Sequence, residues 1–238
     1  MRSVVIIPSR LNSLRLPQKP LISISGKTLI QRVYEQIKKC KNKIDCIVAT
    51  DSKKIYDHVK SFNGEVVMTS EKHISGTDRV NEALSLLNHS YDLIINVQGD
   101  EPIISPTLID DLINSFCLKS NEILTPAKKT SDIKEIDNQN IVKVEFDSKM
   151  IATKFYRQNN TNQEVSYKHI GVYVFTTKIL TELCNLKPTN NEIRFNLEQL
   201  RWMDNNYKIK ILPTSHNNLS IDTKDDVEEL YKKFSEKL

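Results

Sequence analysis

Four short apolar runs, each followed by a stretch of helical spacing, leave little choice of fold for the first half of this chain. The runs fall at 3–8, 44–49, 65–69 and 92–97, and the helical stretches at about 27–40, 52–61, 77–88 and 106–118. Leu29, Ile30, Val33, Tyr34 and Ile37 set the apolar face of the first helix. Ser105-Pro106 opens the last one with a capping hydroxyl and a first-turn proline. Strand and helix in alternation, with short connections, imply right-handed crossovers and a doubly wound α/β architecture around a mostly parallel sheet. The second half is less regular. Strands are expected at 141–146, 150–156, 170–175 and 208–213, helices at 177–186, 195–204 and 223–236, and a mobile loop at Gln158 to Glu164. Thr223 can cap the closing helix, with Asp226 three residues on.

In an open parallel sheet, ligands bind beyond the carboxyl ends of the strands. The segments at those ends are Ser9-Arg10, Ala49-Thr50-Asp51, Thr69 through Arg79, and Gln98-Gly99-Asp100-Glu101-Pro102, so the polar clusters of the first half share one rim. The first connection places Arg10, Arg15 and Lys19 directly after Val4-Val5-Ile6-Ile7, a concentration of cations that suits a polyanion. It contains no glycine through which backbone N–H groups could approach phosphate, so side-chain charge must do that work, unless the segment is a solvated basic turn. Asp100 emerges from the apolar run ending in Asn96-Val97-Gln98, where it reads as a magnesium ligand or as a turn aspartate. Asp222, after Leu219-Ser220-Ile221, reads as a second acid or as a helix-leading cap. Ser75-Gly76-Thr77-Asp78-Arg79 fits a helix cap as well as a base-reading turn. Strand alternation would put His169 and Tyr173 on one face, and Phe155 and Arg157 on another. Glu198 and Gln199 lie on a helix whose apolar residues are Phe195, Leu197, Leu200 and Trp202, which leaves both polar groups for a cleft or water.

Composition excludes several classes of function. The 238 residues carry 34 Lys plus Arg against 30 Asp plus Glu, and the net +4 is dispersed without a basic tail, which argues against nucleic-acid binding. Lys38-Lys39, Lys53-Lys54 and Lys128-Lys129 read as solvated surface. No apolar run approaches membrane length, and Met1 leads into a strand with no apolar signal core. Cys40, Cys46, Cys117 and Cys184 lack CxxC spacing and have apolar neighbours, so reduced core thiols and a cytoplasmic location are expected. Glycine is scarce: five occur where average usage of about 7% gives roughly seventeen. Gly76, Gly99 and Gly171 fall inside the polar clusters, whereas Gly26 and Gly64 read as ordinary turns.

Taken together, these motifs resemble one family, the 3-deoxy-D-manno-octulosonate cytidylyltransferases or CMP-Kdo synthetases. The matching residues are Ile7-Pro8-Ser9-Arg10 with Ser13, Arg15, Leu16, Pro17, Lys19, Pro20 and Leu21; Val48-Ala49-Thr50-Asp51; Ser75 to Arg79; Asn96 to Pro102; Val142-Lys143-Val144; Arg157; His169 to Tyr173; Leu197 to Arg201; and Ile221-Asp222-Thr223. The resemblance implies a nucleotide-diphospho-sugar transferase-like fold, with a small mixed sugar-binding and dimerisation lobe at about 141–205 of a single 238-residue domain. It implies that Pro8, Arg10, Ser13, Arg15, Lys19, Ser75, Gly76, Thr77 and Arg79 bind CTP. It makes Asp100 and Asp222 the ligands of Mg²⁺, and Arg10, Lys19, Asp100 and Asp222 the catalytic set. Gln98, Arg157, His169, Tyr173, Glu198 and Gln199 would contact the sugar acid. A homodimer is implied, as is a CMP-sugar product destined for lipopolysaccharide or capsule.

The chain departs from the family pattern in two places. Gln158 to Gln163 replace an Ile-Pro pair and a longer loop, with Tyr156 in place of a small residue, and Ser220 and Lys224 stand where glycine and proline are usual. The first departure falls on the sugar lobe, so the same chemistry on an amino-octulosonate or a nonulosonate is the nearest alternative. A signalling module of the same sheet type would need an acidic cluster after the first strand, where this chain has Ser9-Arg10. A catalytically silent binding protein is the third reading.

Overall fold

The computed structural model describes residues 2–12, 15–117, 122–158 and 164–235. The chain divides into two compact units, Met1–Asp110 with Asn217–Leu238, and Asp111–His216. It opens with β1 (Ser3–Ser9), a 3-10 turn at Lys19–Leu21, and a short hairpin of β2 (Ser23–Ile24) and β3 (Lys27–Thr28). Then follow α1 (Leu29–Ile37), β4 (Asp45–Thr50), α2 (Lys53–Ser61), β5 (Glu65–Met68), α3 (Gly76–Ser85), β6 (Leu93–Val97) and α4 (Pro106–Ser115). In the first unit the strand order is β5-β4-β1-β6, every pair parallel, with Val5 opposite both Cys46 and Ile95. All seven residues of β1 are buried, so both faces of this sheet are covered, as crossover helices require.

The helix expected at about 27–40 starts later, because its first residues form the β2/β3 hairpin. Ser25 (φ 46°) and Gly26 (φ 78°) both take the left-handed conformation that a two-residue hairpin turn demands. Thr28 then caps α1 by accepting from Gln31 N at 3.3 Å, and Leu29, Ile30, Val33, Tyr34 and Ile37 are its buried residues, as the spacing predicts.

The second unit holds β7 (Glu122–Thr130), α5 (Ile133–Asp137), β8 (Lys143–Phe146), β9 (Ala152–Tyr156), β10 (Ser166–His169), β11 (Val172–Thr176), α6 (Thr177–Cys184), α7 (Asn190–Phe195), α8 (Glu198–Asp204) and β12 (Lys208–Thr214). The closing helix α9 (Lys224–Ser235) belongs to the first unit. β7 organises the strands of this unit: β12 runs parallel along it, while β10 and β11 pair with it antiparallel. Its Pro126 and its lysines disguise it in the sequence. Pro126 sits where the β11 pairing at Leu124 gives way to the β10 pairing from Ala127, so the missing N–H falls at a break in the ladder. Lys128 is consequently half-buried, not simply solvated, whereas Lys129 is exposed.

Two further expectations are corrected here. The helix expected at 195–204 is divided, because Thr189 and Glu192 make a capping box that starts α7 earlier and Asn196 (φ 51°) ends it in the left-handed conformation. Phe195 is therefore 48% exposed instead of core. Cys117 is likewise exposed, while Cys46 is buried and Cys40 and Cys184 are half-buried. Ser13 and most of the loop at 158–164 lie outside the described residues.

Candidate active site

In the first unit, strand ends and the returning C-terminal segment gather charge around Lys19. Lys19 opens the 3-10 turn behind Gln18, itself left-handed at φ 54°. Leu16, Ile24, Leu29, Leu219, Ile221 and Leu230 form one buried cluster, which fixes the loop before Lys19 and the segment before Asp222 in the same core. The Lys19 ammonium donates to Asp100 Oδ2 at 2.7 Å, to Asp222 Oδ1 at 3.1 Å and to the Ile221 carbonyl at 2.9 Å. Burial works against its charge, but the Asp100 and Asp222 carboxylates outweigh that and raise its pKa above the ordinary lysine value. Arg15 adds a hydrogen bond to Asp222 Oδ1 at 2.9 Å from a side chain that is 56% exposed, so this link is readily exchanged. Arg10 is exposed at the end of β1.

The structure removes the capping reading of Asp222. Thr223 Oγ1 accepts from Asp226 N at 3.3 Å, and Asp226 Oδ2 accepts from Thr223 N at 2.7 Å and Asp222 N at 2.8 Å. Thr223 and Asp226 thus cap α9 between them, which leaves the Asp222 carboxylate to Arg15 and Lys19. Asp100 and Asp222 turn oxygens toward a common cation, and each side chain is 23% exposed. That donor set fits Mg²⁺, which favours one or two carboxylates beside phosphate oxygens and water. Among the described residues no group of three or more His, Cys, Asp or Glu side chains is gathered for a metal. An ion here would take its remaining ligands from a nucleotide and water.

The rest of the rim is tightly packed. A Cβ on Gly76 would meet Pro8 Cγ at 3.3 Å and Gln98 Oε1 at 3.4 Å, and one on Gly99 would meet the Pro8 carbonyl at 3.3 Å. Pro8, Gly76, Gln98 and Gly99 therefore belong together, with Gln98 Nε2 donating to Asn96 Oδ1 at 3.0 Å. Ser75 caps α3, accepting from Asp78 N at 3.1 Å, and Thr77 is buried. The Arg79 guanidinium is buried and turned to the sheet, donating to Asp51 Oδ2 and Thr69 Oγ1 at 2.6 Å each and to the Ser70 carbonyl at 3.2 Å. Asp51, to which no role is given from the sequence, is thus the acid that fixes Arg79.

The second unit brings together a different kind of site. His169 and Tyr173 do not share one strand, because the chain breaks at Ile170-Gly171 and puts them on β10 and β11. Their rings nevertheless meet at 5.3 Å, with Phe155 on His169 at 5.2 Å and Trp202 edge-on to Tyr173 at 4.9 Å. Thr125 Oγ1 spends its one hydrogen on the Val172 carbonyl at 2.7 Å. The His169 Nε2 contact to that oxygen at 2.9 Å must then be a donation from the ring, which leaves Nδ1 as the acceptor. Burial, helped by the Arg157 charge, pushes the His169 pKa down to about 3, so the ring is neutral. Burial, then Glu198, raises Tyr173 well above the ordinary phenol value.

Arg157 follows β9 and donates to the Asn140 carbonyl at 2.8 Å. Lys143, fully buried, donates to the Arg157 carbonyl at 2.7 Å and the Asn138 carbonyl at 2.6 Å, which fixes that strand end. Glu198 is half-buried, but Gln199 is 5% exposed and so does not face water as its helix position suggests. The sequence reading misses the ion pair that joins α7 to α8, in which Arg201 Nε and Nη2 donate to Glu192 at 2.7 and 2.5 Å.

Comparison with known proteins gives the family. Residues 4–211 match the family model for cytidylyltransferases. A 3-deoxy-manno-octulosonate cytidylyltransferase of Parabacteroides distasonis is 39% identical, over 96% of this chain and 96% of its own. An 8-amino-3,8-dideoxy-manno-octulosonate cytidylyltransferase of a Shewanella species is also 39% identical, over 95% of this chain and 96% of its own. Among solved structures, a CMP:2-keto-3-deoxy-manno-octonic acid synthetase complexed with CTP superposes with a TM-score of 0.91 at 31% identity, covering 100% of both chains. The doubly wound, mostly parallel architecture is therefore shared with that enzyme. By its sequence, its fold and the matching motifs in both units, the chain belongs to the cytidylyltransferases and, among them, to the 3-deoxy-manno-octulosonate cytidylyltransferase (CMP-Kdo synthetase) family.

Proposed function

We propose that the protein transfers the cytidylyl group of CTP to 3-deoxy-D-manno-octulosonate, giving CMP-Kdo and pyrophosphate. The anomeric hydroxyl oxygen forms a bond to the α-phosphorus as the bond from that phosphorus to the bridging β-phosphate oxygen breaks, and the hydroxyl proton leaves to solvent. No protein nucleophile is needed, so the chain contributes positioning and charge. The observation that carries this reading is Lys19, whose ammonium meets Asp100 and Asp222 at once. A cation set between two carboxylates can pass to phosphate oxygens when those acids take another counter-ion. Lys19, with Arg10 and Arg15, then holds the triphosphate and stabilises the charge that grows on the departing pyrophosphate. Asp100 and Asp222 would hold Mg²⁺, which when bound neutralises phosphate charge and lowers the pKa of the attacking hydroxyl. Pro8, Ser75, Gly76 and Thr77 line the nucleotide side, and Arg79, on the same helix as Gly76 and Thr77, is anchored by Asp51.

In the second unit, Arg157 supplies the charge for the sugar carboxylate. His169, Tyr173, Glu198 and Gln199 supply hydrogen-bonding groups set in an aromatic frame. Among the described residues no helix is long and apolar enough to cross a membrane. We read the protein as a cytoplasmic homodimer acting on two diffusible substrates. Pyrophosphate release from CTP, Mg²⁺ and 3-deoxy-D-manno-octulosonate, lost on chelation, tests the reading; a purified, folded protein that releases none contradicts it. The 8-amino sugar acid is the second substrate to try, because a relative named for it is as similar as those named for the parent sugar. Preference by kcat/KM between the two decides.

A further inference from the structure

Asp100 and Asp222 lie on two segments that run side by side. The Ile221 N–H donates to the Asp100 carbonyl at 2.9 Å. One residue beyond Asp100, the Glu101 carboxyl accepts from Asn218 Nδ2 at 3.2 Å on each oxygen. Glu101 is 2% exposed and Asn218 9%, so this contact lies in the interior while the neighbouring metal-site acids stay open to solvent. Glu101 N donates to Gln98 O at 3.3 Å and Ile104 N to Glu101 O at 3.0 Å, which fixes the turn that carries Asp100. Leu219 and Ile221, on either side of Ser220, enter the apolar cluster that also contains Leu16. A carboxyl buried this deeply is destabilising unless its oxygens are hydrogen-bonded, so the Asn218 amide, which reaches both of them, favours the position of the second segment that presents it.

We propose that the buried Glu101–Asn218 pair is a positioning device that holds Asp100 and Asp222 at one cation site, and thereby sets the affinity for a magnesium-bound nucleoside triphosphate that neither residue touches. The inference rests on the nucleotidyl-transfer reading. It assigns to Asn218, outside every matched motif, a share in nucleotide binding. Its chemistry is reciprocal: an amide facing a carboxyl works in either orientation, whereas two ionised carboxylates facing each other have no donor between them and repel.

The test is calorimetric titration of the full chain with a non-hydrolysable CTP analogue and Mg²⁺, paired with thermal denaturation without ligand. Asn218→Asp should weaken binding on the order of tenfold or more, the size expected when a buried acceptor loses its donor. Adding Glu101→Gln to it, which exchanges amide and carboxyl, should restore both affinity and melting temperature. Wild-type affinity in Asn218→Asp overturns the proposal, as does a swapped variant that folds without regaining affinity. If Asn218→Asp does not fold, the swapped variant alone decides: folded with wild-type affinity supports the proposal, and any other result overturns it. A wild-type chain that melts cooperatively yet does not bind the analogue removes the nucleotide reading itself, and this inference with it.

Discussion

The two units handle charge in opposite ways. Around Lys19 the first unit exposes ions whose pairing is exchangeable: Arg15 is 56% exposed, and Asp100 and Asp222 at 23% share one ammonium. Around His169 the second unit suppresses charge, with a ring held neutral by burial and a frame of Phe155, Tyr173 and Trp202. A polyphosphate that arrives with its own cation and leaves in part during the reaction needs partners that can change. A sugar must be told from its isomers, which needs groups that stay where the fold puts them. The difference teaches that mutations at the first site should act on turnover and metal dependence, and mutations at the second on substrate choice and on folding.

The largest expected effect is at Lys19. Lys19→Ala should lower kcat on the order of a hundredfold or more while the melting curve stays cooperative, because a contact that strengthens as pyrophosphate leaves has gone. Near-normal turnover at saturating CTP would break the first half of the comparison. Next come Asp100→Asn and Asp222→Asn, each raising the Mg²⁺ needed for half-maximal rate on the order of 10- to 100-fold, at least as much as the loss of a ligand's supporting partner. The double variant should be far less than multiplicatively worse, since both acids serve one assembly. If Asp222→Asn changes the melting temperature alone, the acid is structural.

A smaller effect belongs to His169. Its folded pKa of about 3 lies below the ordinary 6.5, so the unfolded chain binds the proton more readily. Its contribution to stability is complete above pH 6.5 and is lost progressively as the pH falls toward 3. Melting temperature should drop on the order of a few degrees between pH 7 and pH 5 in the wild type, and by less in His169→Gln. Equal drops would mean that the ring is not the proton acceptor. The smallest effect should come from Thr176→Ala, which removes the cap accepting from Ile179 N at 3.3 Å and belongs to neither site. About 1 kcal/mol of stability, or roughly 2–4 °C, should be lost with both KM values unchanged.

The first unit was legible because local pattern and topology agree there. β1 is apolar on both faces, α1 keeps its five buried positions, and the rule that ligands sit at strand carboxyl ends finds the segments that carry Lys19 and Asp100. What escaped was the hairpin before α1, which depends on left-handed Ser25 and Gly26; the cap that Thr223 and Asp226 offer in the sequence forms, and it releases Asp222 from that task. The second unit was less legible because its central strand, β7, hides a proline at a break in the ladder and a lysine, Lys128, whose partial burial only the neighbouring strands reveal. Asn196 gives no sequence sign strong enough to divide α7 from α8. The pairs Arg79–Asp51, Arg201–Glu192 and Glu101–Asn218 join residues between 9 and 117 positions apart, and no periodicity reports such contacts.

The most direct test of this division of labour is a pair of Michaelis constants measured on Arg157→Ala, with CTP and the sugar acid varied in turn. Arg157 is the cation of the second unit that holds the Asn140 carbonyl at 2.8 Å and depresses His169. The account predicts a KM for the sugar acid raised on the order of tenfold or more, as a site loses a charged partner to a carboxylate, with the KM for CTP little changed. An equal rise for CTP would place Arg157 in the nucleotide site and contradict the account.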